Sequence, residues 1–449
     1  MTPAARRELL HELFAAALSG SAAGPATAAA VAALPLEGKQ RVFVFAIGKA
    51  AHAMAAAAVP TLQRMLLPVA GGLIVSPDPS QGPVGPLTIM RGEHPLPGRG
   101  SFAAAQRLGD LARGMKSTDA VVVLLSGGTT SLVAAPLRGA GEADLVQLYE
   151  LLLTSGLPIA EVNAVRKRFI RWGGGRLALA LAPATVHCLV VSDVVGDDLA
   201  SIGSGPCVPD PTTARDVQGI LERHALLPRL PAPFRRQLDE MSRGLHPETP
   251  KRTHPAFAHV TARVILSNRQ ALDAVAECAR ARGFDAEVAA EPLCGDAATI
   301  GQELGRELTA LRGSRTGAPR PLVRVWGGET TVRLASASSP VGGRCQELAL
   351  AAARYLDYAG GDAEGVALLA AGTDGRDGPT DAAGAAVDRG TWRAIRDMGH
   401  DPERALGAHA SNTVLEAAGA LVRTGPTGTN VMDVVIGVVG NRDWTLFDQ

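Results

Sequence analysis

The stretch that most constrains this chain is Asp119–Pro136, DAVVVLLSGGTTSLVAAP. Ala120–Leu125 is an apolar run of strand length. It ends in Ser126-Gly127-Gly128-Thr129-Thr130-Ser131, and Leu132–Ala135 are expected to begin a helix. A buried strand that hands over to a helix through such a turn belongs to a sheet with helices packed on its faces. The turn also has the chemistry of an anion site. Glycine lets backbone approach a ligand, and free N–H groups with Ser and Thr hydroxyls can hold phosphate or carboxylate. Alone, it reads equally well as an ordinary βα turn. Its weight comes from repetition along the chain.

Arg41–Ile47 (RVFVFAI) is a second apolar strand, followed at once by Gly48-Lys49 and a small-residue helix over 50–58. A cation at a helix N-terminus opposes the dipole, so Lys49 points to an anionic ligand rather than to a solvated loop lysine. Val186–Ser192 is another strand, running into Asp193-Val194-Val195-Gly196. Open α/β sheets carry their chemistry at the carboxyl ends of strands. Asp193 there is a candidate Mg²⁺ ligand, with a turn or helix-capping aspartate as the competing reading. Ser201–Pro206 (SIGSGP) forms a second hydroxyl/glycine loop.

The same device recurs later. Leu322–Trp326 leads to Gly327-Gly328-Glu329, and Val366–Ala371 leads to a loop, Gly372–Asp381, that carries Asp374 and Asp377. Arg344 opens a helix much as Lys49 does. Between these, Glu161–Arg168 is a basic run before Gly173-Gly174-Gly175, with Asn163, Arg166 and Lys167 as its candidate anion contacts. His94, in the stiff loop Glu93–Gly98, reads either as a ligand contact or as a structural loop histidine.

Strands and helices alternate throughout, so parallel sheets covered by helices are expected. A length of 449 residues suggests two domains. The proline-rich, charged stretch Leu226–Phe257 is the candidate boundary, giving 1–245 and 255–449.

Net charge is zero and aromatics are 4% of the chain, which argues against a nucleic-acid partner. The five cysteines are scattered, with no CxxC pair. Reduced thiols and a cytoplasmic setting are expected, not disulfides or a zinc site. Residues 4–18 read as an amphipathic helix with Glu8 and Glu12, not as a signal peptide. No apolar run is expected to reach membrane-spanning length, so no membrane partner is expected.

Taken in order, IGKAAHAM (47–54), GEHPLPGRGS (92–101), LLSGGTTSL (124–132), NAVRK (163–167), VVSDVVGDDLASIGSGP (190–206), WGGETTV (326–332), GGRCQELAL (342–350), AAGTDGRDGPTDAAGA (370–385) and TGPTGTNVMDVVIG (424–437) resemble the glycerate 2-kinase family. Its C-terminal half is known as the MOFRL domain, and some relatives are called hydroxypyruvate reductases. The resemblance implies two α/β domains: an N-terminal Rossmann-like one with a mainly parallel sheet, and a MOFRL-like one with a smaller mixed sheet. It places the active site in the interdomain cleft. It also implies transfer of the ATP γ-phosphoryl group to the 2-hydroxyl of D-glycerate, with Mg²⁺.

Carried over by position, Lys49, Asp193 and Arg344 are the catalytic candidates, with Asp193 also the metal candidate. Ser126, Gly127, Gly128, Thr129, Asn163, Arg166, Lys167, Glu329, Asp374 and Asp377 are the substrate- and nucleotide-binding candidates. Which acid holds metal and which takes a proton stays open, as does a homodimer. Gly-Arg-Cys-Gln-Glu at 343–347 stands where the family usually carries Asn in place of Cys345. The competing readings are an NAD(P)H-dependent hydroxypyruvate reductase, for which no GxGxxG turn is present, and a non-catalytic binder of small acids.

Overall fold

The computed structural model describes residues 2–315, 320–333 and 341–440. The chain divides into two compact units, Ala23–Leu266 and Met1–Ala22 with Ser267–Gln449.

The Ala23–Leu266 unit is built on six strands: β1 (Arg41–Ile47), β2 (Val69–Ser76), β3 (Leu87–Arg91), β4 (Asp119–Leu125), β5 (Thr185–Val191) and β6 (Val260–Leu266). Their spatial order is β3-β2-β1-β4-β5-β6, and every pair is parallel. All seven β4 residues are buried, because helices cover both faces of a parallel sheet. That is why β4 reads as an unbroken apolar run after Asp119, and β1 and β5 read as mostly apolar ones. The winding direction reverses between β1 and β4. Crossovers from β1 lead to β2 and β3 on one side, while β4, β5 and β6 build outward on the other. Open α/β sheets bind ligands at such a reversal, outside the carboxyl ends of the strands.

The second unit carries β7 (Asp285–Val288), β8 (Leu322–Gly328), β9 (Val366–Gly372), β10 (Gly384–Asp388), β11 (Leu421–Val422) and β12 (Asp433–Val439) in the order β11-β10-β9-β12-β8-β7. Only the β7–β8 pair is parallel. The sheet is therefore mixed, as expected, but equals the first in strand number instead of being smaller. Helices Ala297–Ser314 and Arg344–Ala359 cross closely because Gly301 and Gly305 leave room. A Cβ on Gly301 would lie 2.1 Å from the Leu348 carbonyl oxygen.

The division differs from the expected 1–245 and 255–449 at both ends. β6 lies beyond the proline-rich stretch, yet it pairs with β5 and completes the parallel sheet. The N-terminal helix Pro3–Gly20 belongs with the mixed sheet. Its Leu9, Leu10, Leu13, Phe14 and Ala17 are buried, and a Cβ on Gly20 would meet the Ala274 Cβ at 2.3 Å. One stretch is an exception to the expected lack of apolar spans. Pro3–Ala32 has the length and a mean hydropathy, 1.2, of a membrane-crossing helix. The structure breaks it at Ser21 and turns the apolar side of Pro3–Gly20 into the core. All five cysteines are free thiols.

Leu13 has no exposed surface. Leu13→Ala should therefore destabilise the mixed-sheet unit by about 2–5 kcal/mol. A thermal melt is expected to show its transition several degrees lower, and an unchanged transition would detach this helix from that core.

Candidate active site

The turns after β1 and β4 are locked together at the reversal of the parallel sheet. The Ser126 N–H donates to the Ile47 carbonyl at 3.0 Å, and the Lys49 N–H donates to the Gly127 carbonyl at 2.9 Å. The Ala50 N–H donates to Ser126 Oγ at 3.0 Å. Gly48 has φ +132°, and a Cβ there would lie 2.1 Å from Ser126 Oγ. Only glycine permits this approach. Lys49, Ser126, Gly127, Gly128 and Thr129 are thus brought to one place.

The turn after β4 differs from the expected helix start. Thr129–Leu132 is a single helical turn, ended by Val133, whose backbone (φ −127°, ψ 74°) leaves the helical region. It carries almost no macrodipole. What it offers an anion is backbone: among the described residues, the N–H groups of Gly127, Gly128 and Thr129 donate to no internal acceptor. The Thr129 hydroxyl is committed instead to the carbonyls of Ile47 and Ser126, at 2.9 and 2.7 Å. The His94 ring lies over Gly128, 3.2 Å from where a Cβ would sit.

Other motifs support this turn. Thr130 Oγ1 and Ser204 Oγ are 3.0 Å apart, and a Cβ on Gly203 would lie 3.1 Å from the Thr129 Cβ. The SIGSGP loop therefore buttresses the SGGTTS turn. The triple glycine holds that loop in turn, since the N–H groups of Gly174 and Gly175 donate to the carbonyls of Ser204 and Gly205. Tyr149 Oη donates to the Thr130 carbonyl at 3.0 Å, and burial pushes the Tyr149 pKa up to about 12. The Arg166 guanidinium stacks on that ring at 4.6 Å, half-buried beside the turn.

The other members of the basic run face the interior. Lys167 Nζ pairs with Asp210 at 3.1 Å and donates to the Ala200 carbonyl at 3.2 Å. Arg168 is fully buried and pairs with Asp210 and Glu248. Against its own burial, Asp210 is held below the usual aspartate range by Lys167 and by hydroxyls of Thr249 and Thr212. These charges tie the helix Ile159–Phe169 to the 198–212 segment. Asn163 is buried on the same helix. For Lys167, a candidate anion contact, the structure shows an internal ion pair with Asp210. Asp193, half-buried, follows β5 on the carboxyl edge of the same sheet, where the Ser192 N–H is tied to the Leu266 carbonyl at 2.8 Å.

A second constellation stands at one edge of the mixed sheet. β12 begins at Asp433, which faces Gly328 of β8 on one side and Gly372 of β9 on the other. The Asp433 carboxylate is met by Arg344, the first residue of the helix Arg344–Ala359. Arg344 Nε and Nη2 donate to the Asp433 carboxylate at 2.6 and 2.9 Å. Its Nη1 pairs with Glu329 at 2.6 Å. Burial works against the charge, but these carboxylates raise the Arg344 pKa above its ordinary value. Asp374 sits on the same edge, with its Oδ1 and the Asp433 Oδ1 each 3.4 Å from a Cβ built on Gly372.

Asp377 has a different task from the expected ligand contact. Its buried carboxylate accepts the N–H groups of Cys345 and Gln346 at 3.1 and 2.8 Å, and Gln346 Nε2 at 3.0 Å. It caps from a distance the helix that bears Arg344, whose own N-cap, Gly343, offers no side chain. The sequence argument from a cation at a helix N-terminus is answered here by the chain's own carboxylates. Cys345 is buried, which raises its thiol pKa, and its side chain faces Asp433. Asp433 was not singled out from sequence. The signal was faint, one acid at the start of an apolar strand, and its partner lies 89 residues away.

Among the described residues, no group of three or more His, Cys, Asp or Glu side chains could hold a metal ion. Mg²⁺ in phosphoryl-transfer sites takes one or two carboxylates and completes its shell with phosphates and water, a role that a single strand-end acid such as Asp193 fits.

A model of a domain of unknown function, DUF4147, matches residues 9–239, and the MOFRL family model matches residues 322–433. D-glycerate 2-kinase of Thermotoga maritima is 36% identical over 90% of this chain and 92% of its own length. The chain belongs to the glycerate 2-kinase family. The crystal structure of the Thermotoga maritima glycerate kinase superposes with a TM-score of 0.84 at 34% identity, covering 98% of this chain and 100% of that one. A relative from Agrobacterium vitis, 35% identical over 97% of this chain and 94% of its own, carries the name of a hydroxypyruvate reductase. In this glycerate 2-kinase family member, Lys49 and Arg344 lie at the turns just described, each fixed by backbone or carboxylate partners from distant sequence.

Burial pushes the Asp377 pKa up to about 6. An acid whose folded pKa is raised binds more protons in the fold than in the unfolded chain. Its contribution to stability is therefore full below the ordinary aspartate value and falls as pH rises toward 6. A rise of this size corresponds to roughly 3 kcal/mol. Asp377→Asn should remove that decline from denaturant melts between pH 4 and 7, and an unchanged pH dependence would contradict the assignment.

Proposed function

We propose that this protein transfers the γ-phosphoryl group of ATP to the 2-hydroxyl of D-glycerate, giving 2-phosphoglycerate, with assistance from Mg²⁺. The observation that carries the reading is the locked pair of turns at Gly48–Ala50 and Ser126–Thr129. It sets a lysine beside three backbone N–H groups at the sheet's reversal point. Phosphoryl transfer asks for alignment and charge neutralisation more than for a covalent catalyst, and these are the groups that supply them.

Bound ATP with Mg²⁺ would supply the transferable phosphoryl group and neutralise much of its charge. Lys49 holds an oxygen of that group, and the Gly127, Gly128 and Thr129 N–H groups hold others. Arg166, beside the same turn, adds positive charge. Asp193 serves the metal ion or accepts the proton of the 2-hydroxyl. Arg344 meets an anionic group of the reactants, the glycerate carboxylate or the phosphoryl oxygens, for which a guanidinium is geometrically suited. The known lysine-bearing ATP cradle, GxxxxGK[ST], is absent from the sequence, so the β4 turn takes over the role of backbone donor.

A second reading draws on one observation. The strand order 3-2-1-4-5-6 is that of dinucleotide-binding sheets. That would suit a nicotinamide-dependent reduction of hydroxypyruvate. Against it, the first βα turn reads Gly48-Lys49-Ala50 and places a long cationic side chain where pyrophosphate would need glycine.

Incubation with D-glycerate, ATP and Mg²⁺ should yield 2-phosphoglycerate, distinguished from 3-phosphoglycerate by phosphorus NMR. No phosphorylated product, together with hydroxypyruvate-dependent oxidation of NADH, would replace the kinase by the reductase. Lys49→Ala should lower kcat by about a hundredfold or more with its melting transition unchanged. Near-normal turnover in that variant would remove Lys49 from the mechanism.

A further inference from the structure

The three cations that end the helix Ile159–Phe169 are partnered unequally. Lys167 and Arg168 spend their donors on Asp210, Glu248 and nearby carbonyls. Arg166 does not. Among the described residues its guanidinium makes no hydrogen bond or ion pair, and its Nε is buried with no acceptor. A buried donor is costly unless an acceptor is supplied to it. Basic side chains in the last turn of a helix commonly serve the open carbonyls there. Arg176 already fills that task, donating to the carbonyls of Lys167, Arg168 and Ile170 at 2.9, 3.2 and 3.1 Å. Asn163 lies three residues before Arg166, on the same helix face. It is 7% exposed, and among the described residues its side-chain amide makes no hydrogen bond either.

What holds Arg166 is a ring. Its Cζ stands 4.6 Å from the ring centroid of Tyr149, a residue of the helix Glu142–Leu153 with no exposed surface. Tyr149 is itself tied to the SGGTTS turn, where its Oη donates to the Thr130 carbonyl at 3.0 Å. One buried side chain therefore links the guanidinium to the backbone that offers N–H groups at Gly127, Gly128 and Thr129. The mode of attachment matters. Stacking uses the face of a guanidinium and leaves its edge, which carries all the N–H groups, for an oxyanion. A carboxylate partner would have fixed the same group while consuming that edge and cancelling its charge.

We infer that Tyr149 is a positioning residue that sets Arg166 beside the 126–131 turn, and that the Arg166 edge binds a phosphate of ATP together with the N–H groups of that turn. The inference deepens the proposed phosphoryl transfer and rests on it for the identity of the anion. A run of free backbone N–H groups and a forked guanidinium are both suited to phosphate oxygens, and a phosphate has enough of them to serve both.

Calorimetric titration with ATP and Mg²⁺, and separately with D-glycerate, reads the contact without turnover. Arg166→Ala should weaken ATP binding at least about tenfold, the effect of losing hydrogen bonds to a charged group, and should leave D-glycerate binding unchanged. Tyr149→Leu should weaken ATP binding by a similar factor. Combining the two changes should cost no more than about another twofold, because residues that act as a unit are not additive. Tyr149→Phe, which keeps the ring, should retain more affinity than Tyr149→Leu. Arg166→Lys tests the stack without altering the buried residue: it keeps the charge, loses the planar fork, and should recover little. Unweakened ATP binding by Arg166→Ala would overturn the phosphate contact, as would a loss confined to D-glycerate. Full additivity of the two changes, or full recovery by Arg166→Lys, would overturn the positioning role of Tyr149. Weaker ATP binding by Arg166→Ala in a protein that makes no 2-phosphoglycerate would uphold the contact and overturn the proposed reaction instead.

Discussion

The site in the parallel-sheet unit depends on one close approach, the backbone at Gly48 against Ser126. β1 and β4 are neighbours at the point where the sheet reverses its winding, so their turns leave the sheet side by side. Three hydrogen bonds among Ile47, Lys49, Ala50, Ser126 and Gly127 then join the two turns into one piece. A residue larger than glycine at 48 would push them apart. What this place offers follows from the contact: the backbone position of Lys49, the N–H groups of Gly127 to Thr129 that donate to no internal acceptor among the described residues, and the turn on which the SIGSGP loop and the His94 ring rest. The buried ions of Lys167, Arg168, Asp210 and Glu248 lie one layer further back. They hold the supporting loop through buried ion pairs. Breaking any one of them would leave an uncompensated charge in the interior, which is costly.

The mixed-sheet unit solves a similar problem by other means. Its functional cation comes from a side chain at the start of a helix, a position that the helix dipole disfavours. Three carboxylates offset this: Asp377 on the backbone N–H groups, Asp433 on the inner edge of the guanidinium, and Glu329 on the outer edge. Gly328 and Gly372 flank Asp433, and a side chain at either would collide with backbone, that of Leu293 at Gly328 and that of Arg376 at Gly372. The result is an arginine whose guanidinium is oriented by carboxylates from two strands.

Much of the fold was legible in the sequence, and for a specific reason. Central strands covered on both faces are largely apolar, so β1, β4, β5, β9 and β12 stand out as short runs ended by glycine or polar turns, while the partly exposed edge strand β6 (VTARVIL) keeps enough apolar residues to be read as well. β3 (LTIMR) is an edge strand of mixed polarity, β10 (GAAVD) is made of small residues, and β11 has two residues, so none of them carries a periodic signal. Amphipathic spacing identified the N-terminal helix, but local pattern does not say which sheet a helix will cover. Among site residues, Lys49 and the 126–129 turn were readable because strand, glycine and cation are adjacent in the chain. Lys167 and Asp377 were ligand candidates, one from a basic run and one from an acidic glycine loop, and the structure gives both internal partners. Their partners, Asp210 and the 345–346 backbone, are tens of residues away. Asp433 was hidden for the same reason.

The most direct test of the central claim, that ligand lies on the joined turns of β1 and β4, is amide hydrogen exchange followed by mass spectrometry, with and without ATP and D-glycerate. The N–H groups of Gly127, Gly128 and Thr129 have no internal acceptor among the described residues and are expected to exchange quickly in the free protein. Ligand should slow exchange in peptides that cover 126–131 and 48–51. Unchanged exchange in both peptides under conditions of active turnover would contradict the placement and move the phosphoryl chemistry away from Lys49.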